Sequence, residues 1–292
     1  MTPDQPHGLA DLQSYLWLLV AVAVCLPVCI LVLRRIGRWW LSAEGVPPPL
    51  GGPQTPVPWL PWFGLILFLA MQFLMIGLAA GYDAAAHADL LPWEPLKIPE
   101  MFSPAVFLGQ VLPPLVGLLF VAKFGRAGFE AVGVRRGSTR SGVLHGLAAF
   151  LTILPVCFVG LVASMEVMAI LRAPVTTHPL LETVQETHEA WVIPVAVFQA
   201  GVLAPVAEEF MYRGVLMMTL LKQMGILGAL IVSSALFAIV HLPTEPQAVL
   251  PLFFLGLTLG YVAYRTRSLV APIVTHAIFN TLMVLGTSLG GK

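Results

Sequence analysis

Long apolar stretches dominate the sequence and limit what it can fold into. A transmembrane helix needs roughly 20 mainly apolar residues. Eight stretches reach or approach that length: residues 14–33, 58–81, 103–122, 143–171, 190–221, 226–241, 248–264 and 270–287. Backbone inside lipid must satisfy its own hydrogen bonds, and these stretches are too long for barrel strands. The sequence therefore predicts an all-α, polytopic transmembrane helical bundle of about eight helices.

The composition agrees with a membrane protein and argues against a nucleic-acid partner. Charged residues make up 10% of the chain and hydrophobic residues 58%, whereas a soluble domain usually carries about 25% charged residues. The formal net charge is +0, so there is no basic excess with which to bind phosphates. We expect the lipid bilayer to be a partner and nucleic acid not to be one.

The connecting segments predict an orientation. Basic residues follow the first, third, fifth and seventh stretches: Arg34, Arg35, Arg38, Lys123, Arg126, Arg135, Arg136, Arg140, Lys222, Arg265 and Arg267. Because basic loops stay in the cytoplasm, we expect a multi-pass protein of the cytoplasmic membrane with both termini outside. Residues 44–61, 123–141 and 172–189 are expected to be loops, the first of them extended because it is rich in proline.

Ionisable and amide side chains inside the apolar stretches mark the expected functional site. A carboxylate at mid-bilayer costs about 2.5–3.5 kcal/mol on insertion scales, and such residues usually have a function. The candidates lie in the fifth, sixth and eighth stretches: Glu208, Glu209, Arg213, His241, His276 and Asn280.

Helical spacing separates the two glutamates. Glu209 and Arg213 are four residues apart, so on an unbroken α-helix they face nearly the same direction and can pair. Glu208 is about 140° away from Arg213 on the same helix. It is therefore left without this partner and is a candidate general base.

Two hydrolytic schemes fit these residue types. In the first, Glu208, His241 and His276 bind Zn²⁺ or another divalent metal, which activates water and polarises a carbonyl. In the second, Glu208 and His241 activate water without a metal, while His276 and Asn280 hydrogen-bond the developing oxyanion. Both schemes hydrolyse an amide bond inside the membrane.

The same residues resemble the motifs of a known family. The patterns Glu208-Glu209-x-x-x-Arg213, Phe237-x-x-x-His241 and His276-x-x-x-Asn280 are similar to those of the CPBP family, the CAAX prenyl protease and bacteriocin-processing intramembrane proteases. The resemblance covers roughly residues 195–287. It implies that Glu208 activates water, that Glu209 with Arg213 supports the site, and that the remaining three residues complete the catalytic set.

The resemblance also implies a division of the chain and an activity. Residues 1–140 would form N-terminal transmembrane helices of no recognised family, and residues 141–292 an intramembrane protease core. The expected activity is that of an endopeptidase, of metalloendopeptidase type, acting on a membrane-associated or prenylated (CAAX-type) protein or peptide. Family members are described both as metal-dependent and as glutamate/histidine hydrolases, so the resemblance leaves the metal open.

Other interpretations predict different behaviour. The fold can serve a non-catalytic binding or immunity protein, and Glu208 can act as the proton carrier of a transporter. Glu209 with Arg213 can be a structural ion pair, and His276 with Asn280 can be hydrogen-bond contacts between helices. In addition, if the last three stretches each cross fully, His241 ends near the outer face and His276 begins near the inner face. Convergence therefore requires one of these helices to be displaced.

Overall fold

The protein is a multi-pass helical membrane protein. Its computed structural model describes residues 20, 22–31, 34–35, 38, 46–50, 52–88, 100–135, 139–186 and 189–290. The α-helices are α1 Val22–Leu31, α2 Pro61–His87, α3 Pro104–Ala122, α4 Gly125–Ala131, α5 Thr139–Leu171, α6 Pro179–Glu186, α7 Val192–Phe198, α8 Ala204–Glu209, α9 Met218–Ile239, α10 Val249–Thr266 and α11 Val270–Gly290. The described residues contain no β-strand, which confirms the predicted fold class.

Within the described residues, six helical stretches are long and apolar enough to cross a membrane: Pro61–Tyr82, Pro104–Ala122, Thr139–Leu171, Val192–Ile239, Pro246–Thr266 and Val270–Leu289. The predicted fifth and sixth segments together make up the long run Val192–Ile239. Gly225 divides that run, with φ +70° and ψ −179°. The start of the predicted first segment lies outside the described residues, and α1 is its described part.

Two segments expected to be loops contain helices. Residues 123–141 include α4, and α5 begins at Thr139 instead of residue 143. Residues 172–189 include α6, whose buried side chains are Leu180 and Val184. These two residues are one turn apart and pack in an apolar cluster with α7 and α11. The loop prediction was wrong there because a helix of eight residues with two apolar positions has too weak a periodic signal.

The loops that follow the first, third and seventh predicted segments meet at one end of the bundle. Leu50 N–H donates to the Arg265 carbonyl at 2.8 Å, and Arg267 Nη1 donates to the Pro53 carbonyl at 2.8 Å. Leu269 N–H donates to the carbonyl of Gly133 at 3.1 Å. We refer to this end as the basic end. The described residues 46–50 and 52–60 are non-helical, in agreement with the expected extended segment.

Trp59 lies near the basic end. Its Nε1 donates to Thr219 Oγ1 at 3.2 Å, and its ring lies 5.6 Å from that of Phe120. Trp59 itself is buried. Lys222, three residues beyond Thr219, is exposed, and a lysine ammonium group stays at the membrane–water interface. This part of α9 therefore lies at the interface level.

The turn before α11 packs against the middle of the run Val192–Ile239, which helps to place His276. A Cβ added at Gly214 would lie 3.5 Å from Leu269 Cδ1, so the turn before α11 packs at the level of Gly214. Eleven residues of helix separate Gly214 from Gly225, on the order of 15 Å. α11 therefore starts well short of Gly225 along the bundle, and His276 lies within two turns of that start, towards the level of Glu209.

Glycines let α5 approach α11 closely and so fix the register of α11. A Cβ at Gly142 would lie 2.7 Å from Val270 Cβ, and one at Gly146 would lie 2.6 Å from the Ala271 carbonyl oxygen. The Thr275 hydroxyl donates to the Gly146 carbonyl at 2.9 Å. Thr275 immediately precedes His276, so this contact sets where His276 is presented.

Candidate active site

The two acids lie between two π-helical segments. α8 ends at Glu209 and is preceded by the π-helix Gln199–Leu203 and followed by the π-helix Phe210–Met217. The assumption of an unbroken α-helix through Arg213 was therefore wrong. π-helical turns are rare and frequently occur at functional sites. Here each one changes the direction in which the following side chains point.

Glu209 and Arg213 form a fully buried ion pair, as the spacing predicted. Arg213 Nη1 lies 3.2 Å from Glu209 Oε1, and both side chains are 0% exposed. Arg213 Nη2 also donates to the carbonyl of Gly256 at 3.3 Å. The guanidinium carbon lies 4.4 Å from the centre of the Phe237 ring, a cation–π distance. The arginine is held from three sides.

His276 connects the two glutamates. Its Nδ1 lies 2.9 Å from Glu209 Oε1, and its Nε2 lies 3.8 Å from Glu208 Oε2. Because Glu209 is paired with Arg213 and accepts hydrogen bonds as a carboxylate, we assign a proton to Nδ1. Nε2 is then directed towards Glu208, which is 23% exposed. A carboxylate that orients a histidine ring in this way is common in hydrolytic and metal sites.

His241 reaches this cluster through an aromatic contact. Its Nδ1 lies 2.8 Å from the Phe237 carbonyl oxygen, and its ring lies 5.3 Å from the Phe237 ring. The ring of His276 lies 5.6 Å from the same Phe237 ring. No hydrogen bond or ion pair joins His241 to Glu208 among the described residues. Phe237 therefore lies beside both histidines.

Asn280 lies one turn beyond His276 on α11. Its Nδ2 donates to the Ala200 carbonyl at 3.0 Å, in the first π-helical segment, and the second N–H of the amide is not needed for this bond. The structure thus brings Glu208, Glu209, Arg213 and His276 into one chain of contacts. His241 and Asn280 lie outside this series of contacts: His241 contacts Phe237, and Asn280 donates to the Ala200 carbonyl.

Glu208, His241 and His276 are residue types that suit a metal, but their side chains are not grouped as metal ligands. A carboxylate and two imidazoles are common zinc ligands. Among the residues that the structure describes, however, no three His, Cys, Asp or Glu side chains are grouped as metal ligands. We therefore derive no step through a metal, and the zinc site of Glu208, His241 and His276 stays a prediction.

Sequence reasoning missed a segment that packs beside His241. The Thr176 hydroxyl donates to the Thr244 carbonyl at 2.6 Å, and Gln247 Nε2 donates to the carbonyl of Thr176. These bonds attach residues 173–178 to the turn that follows His241, and we call this segment the strap. No periodic signal marks it, because its partners are about 70 residues away along the chain.

Buried ionisable groups accompany the strap. Burial lowers the pKa of His178 to about 4, and the neighbouring His241 acts in the same direction. Burial raises the pKa of Glu245, while the same His241 opposes that shift. His178 was expected to be a solvated loop residue. The structure instead places it close enough to His241 for the two rings to interact electrostatically.

Fold and site together define a polytopic membrane protein with a buried acid–histidine cluster of the CPBP arrangement. Residues 190–282 match the family described as type II CAAX prenyl endopeptidase Rce1-like. This region of the chain is therefore similar to that family, which confirms the resemblance that the motifs indicated. All six candidate site residues fall within the matched region.

A curated relative agrees with this assignment. The chain is 26% identical over 128 residues to a Bacillus subtilis (strain 168) protein named "Putative membrane peptidase YdiL". That alignment covers 43% of this chain and 49% of the relative, so the chain spans about half the length of the relative. No solved structure matches the chain significantly.

Proposed function

We propose that this protein is an intramembrane endopeptidase that hydrolyses a peptide bond of a membrane-associated or prenylated (CAAX-type) protein or peptide. The contact chain from Arg213 through Glu209 and His276 to Glu208 carries the proposal. It joins two of the three motifs at a buried position within membrane-spanning helices. A structural ion pair needs only Glu209 and Arg213. The presence of His276 and a second, partly accessible acid in the same contact chain favours chemistry.

The proposed mechanism follows from which groups are already engaged. Glu209 is occupied by Arg213 and His276, so Glu208 is the acid that accepts a proton from water. The resulting hydroxide attacks the scissile carbonyl carbon and forms a tetrahedral oxyanion. Collapse of this intermediate breaks the C–N bond, and the proton held by Glu208 passes to the leaving amine. Hydrolysis thus balances, with one water consumed.

In the proposed mechanism His276 and Asn280 stabilise the oxyanion. The Nδ1–H of His276 is used on Glu209, so its Nε2 donates only when the ring is an imidazolium. An imidazolium also balances the local charge, because two carboxylates then face two cations. Asn280 retains one N–H beyond the bond to Ala200. Removing one donor of this kind costs about 10²–10³ in kcat in hydrolases.

The test compares peptide cleavage by two variants, one at Glu208 in the site and one at Glu166 outside it. The purified protein, in detergent micelles and in proteoliposomes, is given two quenched fluorescent peptides. One carries a farnesylated cysteine in a C-terminal CAAX sequence, and the other an unmodified hydrophobic segment. We expect Glu208→Gln to reduce cleavage at least ~10²-fold. Glu166→Gln is the matched control, because Glu166 is an exposed glutamate on α5.

Each outcome separates the proposed function from its competitors. Cleavage that survives in Glu208→Gln contradicts the assigned base. Solute flux across the proteoliposomes without cleavage would indicate the transporter. If neither occurs and the protein's function in cells persists in Glu208→Ala, the fold serves a binding or immunity role. Cleavage of only one peptide decides between lipidated and unmodified substrates.

A further inference from the structure

Tyr212 carries a hydroxyl group that the mechanism above does not use. It follows Glu208 by four residues, just as Arg213 follows Glu209 by four. Arg213 contacts Glu209 across the π-helical turn that begins at Phe210, and Tyr212 has the same offset from Glu208. Tyr212 and Glu208 interact electrostatically in the structure. The motif thus contains two residue pairs of equal spacing: Glu209 with Arg213, which form the ion pair, and Glu208 with Tyr212, which are not hydrogen-bonded among the described residues.

Aromatic contacts fix the direction of the Tyr212 side chain. Tyr212 is only 2% exposed. Its ring lies 5.1 Å from Phe68 on one side and 5.4 Å from Phe237 on the other, both in edge-to-face contact. Phe237 is the same ring that contacts His241 and His276. The phenol is therefore held in the aromatic layer that connects the catalytic side chains.

The hydroxyl is buried and forms no hydrogen bond of good geometry among the described residues. Gln72 lies one turn after Phe68 on α2, and its side chain is close enough to interact with the Tyr212 hydroxyl. Gln72 Nε2 also lacks a partner of good geometry within the described part of the chain. An unpaired buried polar group destabilises a fold, and phenylalanine would fill the same space without that cost. Such groups in native structures commonly have a functional explanation.

We propose that Tyr212 is a positioning residue whose hydroxyl, oriented by Phe68 and Gln72, donates a hydrogen bond to Glu208 and holds this carboxylate for catalysis. The bond forms in the complex with substrate, since catalytic hydrogen bonds are often long in the free enzyme. α2 belongs to the part of the chain that matches no family motif. This inference makes it a contributor to the active site, and it rests on the proposed function.

The test separates orientation of Glu208 from support of the fold. We expect Tyr212→Phe to lower kcat about tenfold, the effect of one hydrogen bond to a charged group, with KM changed less than about twofold. The melting temperature should stay the same or rise, because an unpaired buried hydroxyl is removed. Gln72→Met should lower kcat by about threefold. The double variant should lose no more than Tyr212→Phe alone, because Gln72 acts through the hydroxyl.

Tyr264→Phe is the matched control, since Tyr264 is a partly buried tyrosine near the end of α10. Wild-type kcat in Tyr212→Phe, with the quenched peptides still cleaved, would overturn this inference and leave the proposed function standing. A fall in the melting temperature of several degrees, or failure to fold, would show that the hydroxyl is structural and would also overturn it. Absence of cleavage by the wild-type protein would refute the proposed function and this inference with it.

Discussion

The buried pair of Glu209 and Arg213 gives a prediction about stability that does not depend on knowing a substrate. Replacing Arg213 with methionine keeps most of the side-chain volume and removes the charge. Glu209 then keeps only His276 as a partner for its Oε1, at a position with 0% exposure. We expect Arg213→Met to be strongly destabilising and Glu209→Gln/Arg213→Met to recover more than half of the loss.

The magnitude follows from the geometry. Two unit charges 3.2 Å apart attract by about 5 kcal/mol at an effective dielectric constant of about 20. Removing one partner of a buried pair costs about 3–5 kcal/mol, because the other charge stays behind without compensation. Glu209 can take up a proton and limit this loss, so we expect about 3 kcal/mol. For a chain of this size that corresponds to a fall in melting temperature on the order of 10 °C.

The chain provides both a probe and a control for this measurement. Its cysteines Cys25, Cys29 and Cys157 are free and at least partly buried, so a thiol-reactive dye reports unfolding of the detergent-solubilised protein. Arg126→Met breaks an i,i+4 pair of the same type, since Arg126 Nε lies 2.7 Å from Glu130 Oε1 with the arginine 91% exposed. Its melting temperature should stay at the wild-type value.

Two results would refute this reasoning. If Arg213→Met melts within about 1 °C of the wild type, the guanidinium does not compensate a buried charge. If the double variant is no more stable than Arg213→Met, the loss arises from the packing of Arg213 on Phe237 and not from an unpaired Glu209.

Three further predictions concern the metal, the helix register and pH. If a metal takes part, the purified protein should contain about one equivalent of zinc, and cleavage should stop on chelation and return when metal is added. Cleavage that resists the chelator and is lost in Glu208→Gln would support the metal-free scheme. Gly146→Ala should push α11 and His276 away from the site and lower kcat about tenfold, while the peptide still binds. Gly286→Ala is the control and should leave kcat unchanged, because a Cβ at Gly286 meets nothing within 4 Å. The pKa of His178 is lowered to about 4, so the folded state loses stability as pH falls from about 6.5 towards 4. His178→Asn should therefore show a smaller fall in melting temperature between about pH 7 and pH 5 than the wild type. The difference corresponds to about 1 kcal/mol of unfolding free energy, a reduced value because the ring is partly exposed.

The sequence predicted the fold class and the local pair well because both depend on short-range patterns. Hydropathy over about 20 residues locates helices, and a spacing of four places Glu209 against Arg213. The contact of Glu209 with His276 spans 67 residues, and no periodicity encodes it. Only the family motifs indicated that these residues converge.

The depth of His276 could not be derived for a related reason. It depends on the contacts of Leu269 with Gly133 and Gly214, which are tertiary packing and not composition. The strap was missed because the bonds of Thr176 link two segments that are both polar. The π-helical segments on either side of α8 were missed because regular α-helical spacing was assumed throughout, and hydropathy does not distinguish the two kinds of helix.

The position of Lys222 limits the substrates that the site can accept. Thirteen residues of helix, eight of them π-helical, separate this exposed lysine from Glu209, on the order of 15 Å, which is about half the roughly 30 Å of a hydrocarbon core. A peptide bond at that depth is normally enclosed in a helix whose carbonyl groups are already hydrogen-bonded. Cleavage there requires local unwinding of the substrate. Sequences with glycine or proline near the scissile bond should therefore be cut in preference to uninterrupted leucine-rich helices.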